Sequence, residues 1–239
     1  MTLLLSHLTI FSDSLEGLPS KKLLINTINA HSYNIAQKDK FFAEALLNSN
    51  VLLPDGISIV FAIRFLKGIK IKKIAGSDLF NYEMHRLNQI GGKCLFLGSN
   101  EATLKLISEH AAVEYPSVKV DTYFPPYKSE FSPEDDQKML EAINASKPDV
   151  LFLGMTAPKQ EKWAYRNFDK LHAGHVCCIG AVFDFYSGNV RRAPNGLIEL
   201  GLEWLYRLIR EPFRMWRRYL IGNVRFIQLV INEKTQGNN

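Results

Sequence analysis

The sequence predicts an α/β fold, a largely parallel sheet with helices on both faces, followed by a basic helical appendage at the C-terminal end. Three observations carry this. Short, continuous apolar runs alternate with segments of helical spacing, the pattern of strands buried on both faces. Three of the runs end alike, in "LFLG" at Gly98, "LFLG" at Gly154 and "CCIG" at Gly180. Beyond about residue 195 the chain becomes helical, aromatic and rich in arginine. The composition fits: 239 residues, 46% hydrophobic and 22% charged, are enough to build a full core.

The elements follow in order. "MTLLLSHLTIF" is apolar but short, without a basic leader or a small-residue cleavage site, and reads as a first strand. Residues 21–29 read as a strand and 32–48 as a helix. Residues 51–66 hold a strand end, a turn at Pro54-Asp55-Gly56 and a helix. Strand 93–99 precedes helix 100–115, and strand 118–124 precedes the proline-rich loop "PPYKSEFSP". Pro133 and the acids after it open a helix over 133–146, as the helix dipole prefers. Strand 149–154, helix 158–168 and strand 175–185 complete a Rossmann-like α/β domain over residues 1–195. Residues 196–239 form the appendage. In it Leu202, Leu205, Ile209, Phe213, Trp216 and Leu220 make an apolar stripe at helical steps. Pro212 separates two helices, and the tail "EKTQGNN" is expected to fray.

Composition narrows the function. A formal net charge of +5 and a pI near 9.0 favour an anionic partner: nucleic acid, a phosphorylated ligand or an anionic membrane surface. Cys94, Cys177 and Cys178 sit in strand-like runs without ligand spacing, and read as buried thiols rather than a disulfide framework or zinc site. No apolar run is long enough to span a bilayer.

In such folds ligands bind beyond the carboxyl ends of the strands. Each of Gly98, Gly154 and Gly180 taken singly is a turn residue, but three in comparable places suggest a crevice where backbone approaches a ligand. Asp55 in "LLPDG" is either a turn residue or a general base at that edge. In "TAPKQEKW", Thr156 is placed to cap a helix, with Lys159 and Gln160 towards the crevice. Lys159 lies at the positive end of the dipole, which asks for an anion nearby, although a solvated helix start tolerates the mismatch. Asp184, Arg191 and Arg192 sit past the next strand end, either on a solvated loop or on a diphosphate. Arg207, Arg210, Arg214, Arg217 and Arg218 flank the apolar stripe. They suit an anionic membrane interface or the outer face of a packed helix. No nucleic-acid motif accompanies them, and no G-x-G-x-x-G follows a strand, as a nicotinamide-dependent oxidoreductase would require. A non-enzymatic membrane- or nucleic-acid-binding module stays open.

The blocks "LLPDGISIVFA", "KIAGSDL", "LFLGSNEAT", "PDVLFLGMTAPKQEKW" and "GAVFDFYSGNVRRAPNGLIELGLEWLYRLIREPFRMWRRYL" resemble, in order and spacing, the WecG/TagA/CpsF family of bacterial glycosyltransferases. The resemblance runs from about Lys22 to Leu220. It implies a hexosyltransferase that moves a sugar (N-acetylmannosamine, its uronic acid or glucose) from a UDP-sugar donor to a polyprenyl-diphosphate-linked sugar acceptor. The reaction inverts the anomeric centre and serves surface polysaccharide synthesis at the cytoplasmic face of the cell membrane. It implies no cofactor and no metal, and the sequence has no D-x-D. Asp55 matches the family's proposed catalytic base, Thr27 and Asn29 its T-x-N element, and Gln160 the polar residue of PKQE. Lys73 stands where the family usually has arginine, which keeps the charge and loses the bidentate fork. The implied partners are the donor, the lipid-linked acceptor and an anionic membrane surface, with no nucleic acid. A homo-oligomer stays open.

Overall fold

Side-chain alternation along the strands builds the fold. The computed structural model describes residues 3–236. Six strands form one sheet: β1 (Leu23–Ile28), β2 (Val51–Pro54), β3 (Lys93–Gly98), β4 (Lys119–Tyr123), β5 (Val150–Gly154) and β6 (His175–Cys178). Their order is β2-β1-β6-β5-β3-β4, and every pairing is parallel. Successive side chains point to opposite faces, and both faces are covered, as expected. Ile25, Phe96, Phe152 and Cys177 enter a core under α4 (Gly76–Ile90), α5 (Glu101–Glu114) and α8 (Val182–Tyr186). Leu24, Leu95, Leu151 and Cys178 enter the opposite core, under α6 (Pro133–Ser146) and α7 (Lys159–Asn167). The adjacent thiols Cys177 and Cys178 therefore belong to different cores, and all three cysteines are free and buried.

Local chemistry sets the helix boundaries. Asn29 caps α1 (Ala30–Ala36) with its side-chain oxygen. Asp39 caps α2 (Lys40–Leu47) by accepting from the Phe42 N–H, so the single helix expected over 32–48 is two. Ser132 and Asp135 close a capping box on α6 behind Pro133. Helix α3 (Ile57–Lys67) follows β2. Helix α4 was not among the sequence expectations. Its Leu79, Phe80, Met84 and Leu87 are buried at helical steps, and the Asp78 carboxylate accepts the Ala75 N–H at 2.7 Å to close its start.

Three further expectations are corrected. Over its described residues the apolar N-terminal run is not a strand but carries a short 3-10 turn, Leu5–His7; Met1 and Thr2 lie outside the described residues. Buried Glu233 accepts the Leu5 and Ser6 N–H groups at 2.8 and 2.7 Å, which occupies the donors a strand would need. The strand expected over 175–185 ends at Cys178, because Gly180 turns the chain with φ 51°; residues Val182–Tyr186 are helix α8. The tail holds its helix through Gln236, tied down by the same Glu233 contacts; Gly237 to Asn239 lie outside the described residues.

The C-terminal segment runs through α9 (Asn195–Glu199), α10 (Glu203–Arg210) and α11 (Pro212–Trp216). A π-helical turn (Arg217–Ile221) then leads into α12 (Gly222–Gln236). As expected, the chain breaks helix at Pro212. Phe226 and Val230 of α12 pack into a third core with Tyr33 of α1, Phe42 of α2 and Ile59 of α3. The segment thus leaves the α/β layer, crosses the carboxyl ends of the strands and is anchored again by its last helix.

Candidate active site

The strand ends and the crossing segment enclose a crevice of about 2000 Å³. That is larger than a typical small-molecule pocket of ~300–1,000 Å³, which leaves room for more than one small ligand.

The sheet wall is built first. Asn29 leaves β1 and caps α1, its Oδ1 accepting from the N–H groups of His31 and Ser32 at 3.1 and 3.0 Å. This fixes the amide, so that Nδ2 is left to donate to Asp55 Oδ2 at 3.5 Å. Asp55 follows β2, and its own N–H donates to the Ile28 carbonyl at 2.9 Å. Burial pushes the Asp55 carboxyl above its usual range, and nearby Glu203 adds to the effect. The Asn29 hydrogen bond, Arg218 and Lys73 act in the opposite direction without cancelling it. A half-buried carboxylate of raised pKa at a crevice floor is chemically suited to take a proton. Burial lowers the His31 pKa to about 4, helped by Arg218, so His31 lines the crevice as a neutral ring.

The turn after β5 is braced rather than open. Gln160 Oε1 accepts the Met155 N–H at 3.1 Å, and its Nε2 donates to Glu161 Oε1 at 2.8 Å. Burial raises the Glu161 pKa to about 7, and its Oε2 has no partner among the described residues. Lys159 does not stand free at its helix start. Its Nζ donates to the Lys128 carbonyl and lies 3.5 Å from the Phe131 ring centroid, clamping the proline-rich loop to the crevice rim. Thr156 makes no side-chain cap; its carbonyl accepts the Lys159 N–H instead.

The C-terminal wall supplies the cations. Arg192, Arg207 and Arg218 each have a buried Nε with no hydrogen-bond acceptor among the described residues. The Arg192 Nε lies 4.0 Å from a Glu203 oxygen, within ion-pair distance but beyond a hydrogen bond. The Arg207 guanidinium sits 5.4 Å from the Phe185 ring centroid. Burial lowers the Arg218 pKa, although Tyr219 and Asp55 oppose that. Partly buried guanidiniums whose Nε donors lack acceptors among the described residues are poised for an anion. Among the described residues no group of His, Cys, Asp and Glu side chains is arranged to hold a metal ion.

The structure therefore brings together on the crevice lining Thr27, Asn29, Asp55, Lys73, Gly154, Lys159, Gln160, Gly180, Arg192, Arg207, Arg214, Arg217 and Arg218. It leaves Gly98, Arg191 and Arg210 off that lining. Gly98 answers to packing: a Cβ there would lie 2.4 Å from the Gly154 carbonyl oxygen. Gly154 likewise makes room for the Phe183 ring, which a Cβ would meet at 2.3 Å. Arg191 and Arg210 are exposed. Sequence reasoning missed Glu203 and His31. For Glu203 a signal existed, since Glu203, Arg207, Arg214 and Arg218 recur at helical steps on the side away from the apolar stripe. That stripe points outward, with Ile209 71% and Phe213 95% exposed.

Comparison with known proteins gives a consistent picture. The model for the Glycosyl transferase WecG/TagA/CpsF family matches residues 8–239. A Bacillus subtilis (strain 168) protein is 34% identical over 90% of this chain and 83% of its own. A Bacillus spizizenii (strain W23) protein is 29% identical over 90% of this chain and 82% of its own. Both relatives carry the name N-acetylglucosaminyldiphosphoundecaprenol N-acetyl-beta-D-mannosaminyltransferase.

Proposed function

The chain belongs to the WecG/TagA/CpsF family of glycosyl transferases, and we propose that it moves a sugar from a UDP-sugar to a polyprenyl-diphosphate-linked sugar with inversion. The relatives' names favour N-acetylmannosamine as the transferred sugar and N-acetylglucosamine on the lipid diphosphate as the acceptor, over the uronic acid or glucose that the resemblance left open. The non-enzymatic module and the oxidoreductase give way to the family assignment.

The observation that carries the mechanism is the pairing of Asp55 with three buried arginine Nε donors that lack acceptors, across one crevice. Asp55 accepts the proton of the acceptor hydroxyl as its oxygen bonds to the anomeric carbon. The bond from that carbon to the UDP oxygen breaks on the opposite face, and its electron pair leaves with UDP. Arg192, Arg207 and Arg218 meet the charge that develops on the diphosphate, in a setting where fixed donors act more strongly than in water. Thr27, Asn29, Lys73, Gln160 and the backbone at Gly180 are assigned to substrate. Residues 1–195 act as the transferase domain, and 196–239 dock on the inner face of the membrane and close the site. No helix of the described residues is long and apolar enough to cross a membrane, which suits a peripheral attachment.

The test is UDP release by purified protein against a panel of UDP-sugars with a short-chain prenyl-diphosphate-sugar acceptor. Acceptor-dependent release with one donor is the expected result. Folded protein that neither releases UDP nor binds it by calorimetry would overturn the proposal.

A further inference from the structure

The outward apolar stripe of the C-terminal segment has a counterpart on the α/β layer itself. On α3, Phe61 and Phe65 are 61% and 52% exposed, and Ile69 just beyond the helix is 51% exposed. A step of four puts Phe61 and Phe65 along one line of the helix surface, and Ile69 follows just past Gly68, which ends the helix with φ 73°. Arg64, Lys67, Lys70 and Lys72 are exposed among them. From Ile57 to Ala75 the chain carries five Lys or Arg and no Asp or Glu. Contiguous apolar side chains, each more than half exposed, mark a face that is covered in use.

The face extends to a second helix. Helix α12 packs against α3, buries Phe226 and Val230 on one side and leaves Val224, Ile227 and Ile231 exposed on another. A helix apolar on both sides is not designed for water alone. Lys234 joins the two helices here: its Nζ donates to the Leu66 carbonyl at 3.1 Å and lies 5.9 Å from the Phe65 ring centroid. The face also adjoins the active site. α3 starts two residues after Asp55, and Gly201 of the C-terminal segment lies against Ile57, where a Cβ would come within 3.1 Å of its side chain.

We infer that α3 and its "KGIKIK" extension form a membrane-docking surface on the α/β layer itself, specific for anionic lipid, distinct from the stripe around Pro212 and joined to the C-terminal segment through the exposed side of α12. Interleaved aromatic and basic side chains without acids match the interface of an anionic bilayer, where apolar groups enter the acyl boundary and lysines meet headgroups. A second copy of this chain is a poorer occupant, because the same surface would bring its cations onto one another. Two docking surfaces, one of them beginning two residues from Asp55, would fix the crevice mouth against the bilayer that holds a polyprenyl acceptor. That purpose rests on the proposed reaction; the docking does not, and is measured without substrate.

The experiment is co-sedimentation of the full chain with vesicles of phosphatidylcholine, with and without phosphatidylglycerol. The double variant Phe61→Ser/Phe65→Ser is expected to lose about tenfold or more in partitioning to the anionic vesicles. Lys70→Gln/Lys72→Gln is expected to weaken binding only where phosphatidylglycerol is present and salt is low. All four residues are exposed, so thermal unfolding should be unchanged, and UDP release with a short-chain acceptor should persist. Unchanged vesicle binding by the phenylalanine variant overturns the inference. So does a wild-type dimer in solution that this variant dissociates while vesicle binding stays intact. Loss of docking in a protein that shows no transferase activity would support the surface and count only against the proposed reaction.

Discussion

The two walls of the crevice are built on opposite terms. On the sheet wall, the functional groups are held by the protein: the Asn29 amide by two helix N–H groups, the Gln160 amide by Met155 and Glu161, the Asp55 backbone by Ile28. On the C-terminal wall, arginine Nε donors are buried without acceptors among the described residues, and Ile209, Phe213 and Leu220 face outward. A catalytic base gains from being fixed before substrate arrives. A clamp on a leaving diphosphate gains from being completed by it. The first wall is braced by hydrogen bonds within the chain; in the proposed mechanism the second is completed by ligand and lipid.

The largest effect tests the finished wall. Asp55→Asn is expected to keep the fold and lower transfer by ~10²–10⁴-fold, the usual range for a lost general base. UDP release at saturating donor measures it, and a fully active variant would remove Asp55 from the mechanism. Glu203 sharpens the point, because it pushes the Asp55 pKa up. The rate should rise with pH as Asp55 loses its proton, and Glu203→Gln should move that rise to lower pH. A rise that stays in place would show that the two carboxyls are not coupled in the working enzyme.

The unfinished wall comes next. Arg218→Ala is expected to cost ~10²–10³-fold in kcat, as for a donor that meets charge formed in the transition state. The effect on KM should be smaller. Arg207→Ala should follow the same pattern. A change confined to KM would mean that these arginines hold substrate without stabilising the departing diphosphate.

Glu161 is the exception on the sheet wall, since its Oε2 has no partner. Burial raises its pKa from 4.5 to about 7, so the folded chain keeps a proton that the unfolded chain releases. The associated stability is fully present below about pH 4.5 and is lost as pH rises through about 7, an amount on the order of 3 kcal/mol. Glu161→Gln should remove that part of the slope. Urea unfolding at pH 5 and pH 8 reads it directly, and an unchanged slope in the variant would place the titration elsewhere.

Much of this was legible in the chain. Continuous apolar runs gave the parallel sheet, because strands buried on both faces need no polar positions. Asp55 and the PKQE turn could be singled out because they sit where a strand ends and a helix begins, and ligands gather there; Asn29 was singled out only by the family resemblance. What stayed hidden depends on distant partners. The N-terminal run is bound by Glu233, 228 residues from Leu5, and no local pattern announces that. Helix α4 buries a carboxylate, Glu83, against His175 at 2.5 Å, so a polar residue occupies a position that periodicity assigns to solvent. Gly98 and Gly154 read as ligand-facing, yet neighbouring backbone and the Phe183 ring account for them.

The smallest expected effect is the most direct check on the two-wall picture. Sequence could not separate Arg207 from Arg210, three residues apart on one helix, or Arg192 from Arg191. Folding separates them. Arg207 and Arg192 have buried Nε atoms on the crevice lining, while Arg210 is exposed, with its guanidinium 5.6 Å from the Tyr206 ring centroid, and Arg191 is exposed beyond the lining. An exposed guanidinium already has water as its acceptor and nothing to gain from a diphosphate out of reach. Arg210→Ala and Arg191→Ala should therefore leave kcat with a soluble short-chain acceptor within about twofold, against the hundredfold loss expected at Arg207. Binding to anionic vesicles should still weaken, because each arginine near the lipid contributes to the attraction. If Arg210→Ala instead slowed soluble transfer as much as Arg207→Ala, the segment would have to turn its outer face inward during turnover. The distinction between a docking side and a clamping side would then fail.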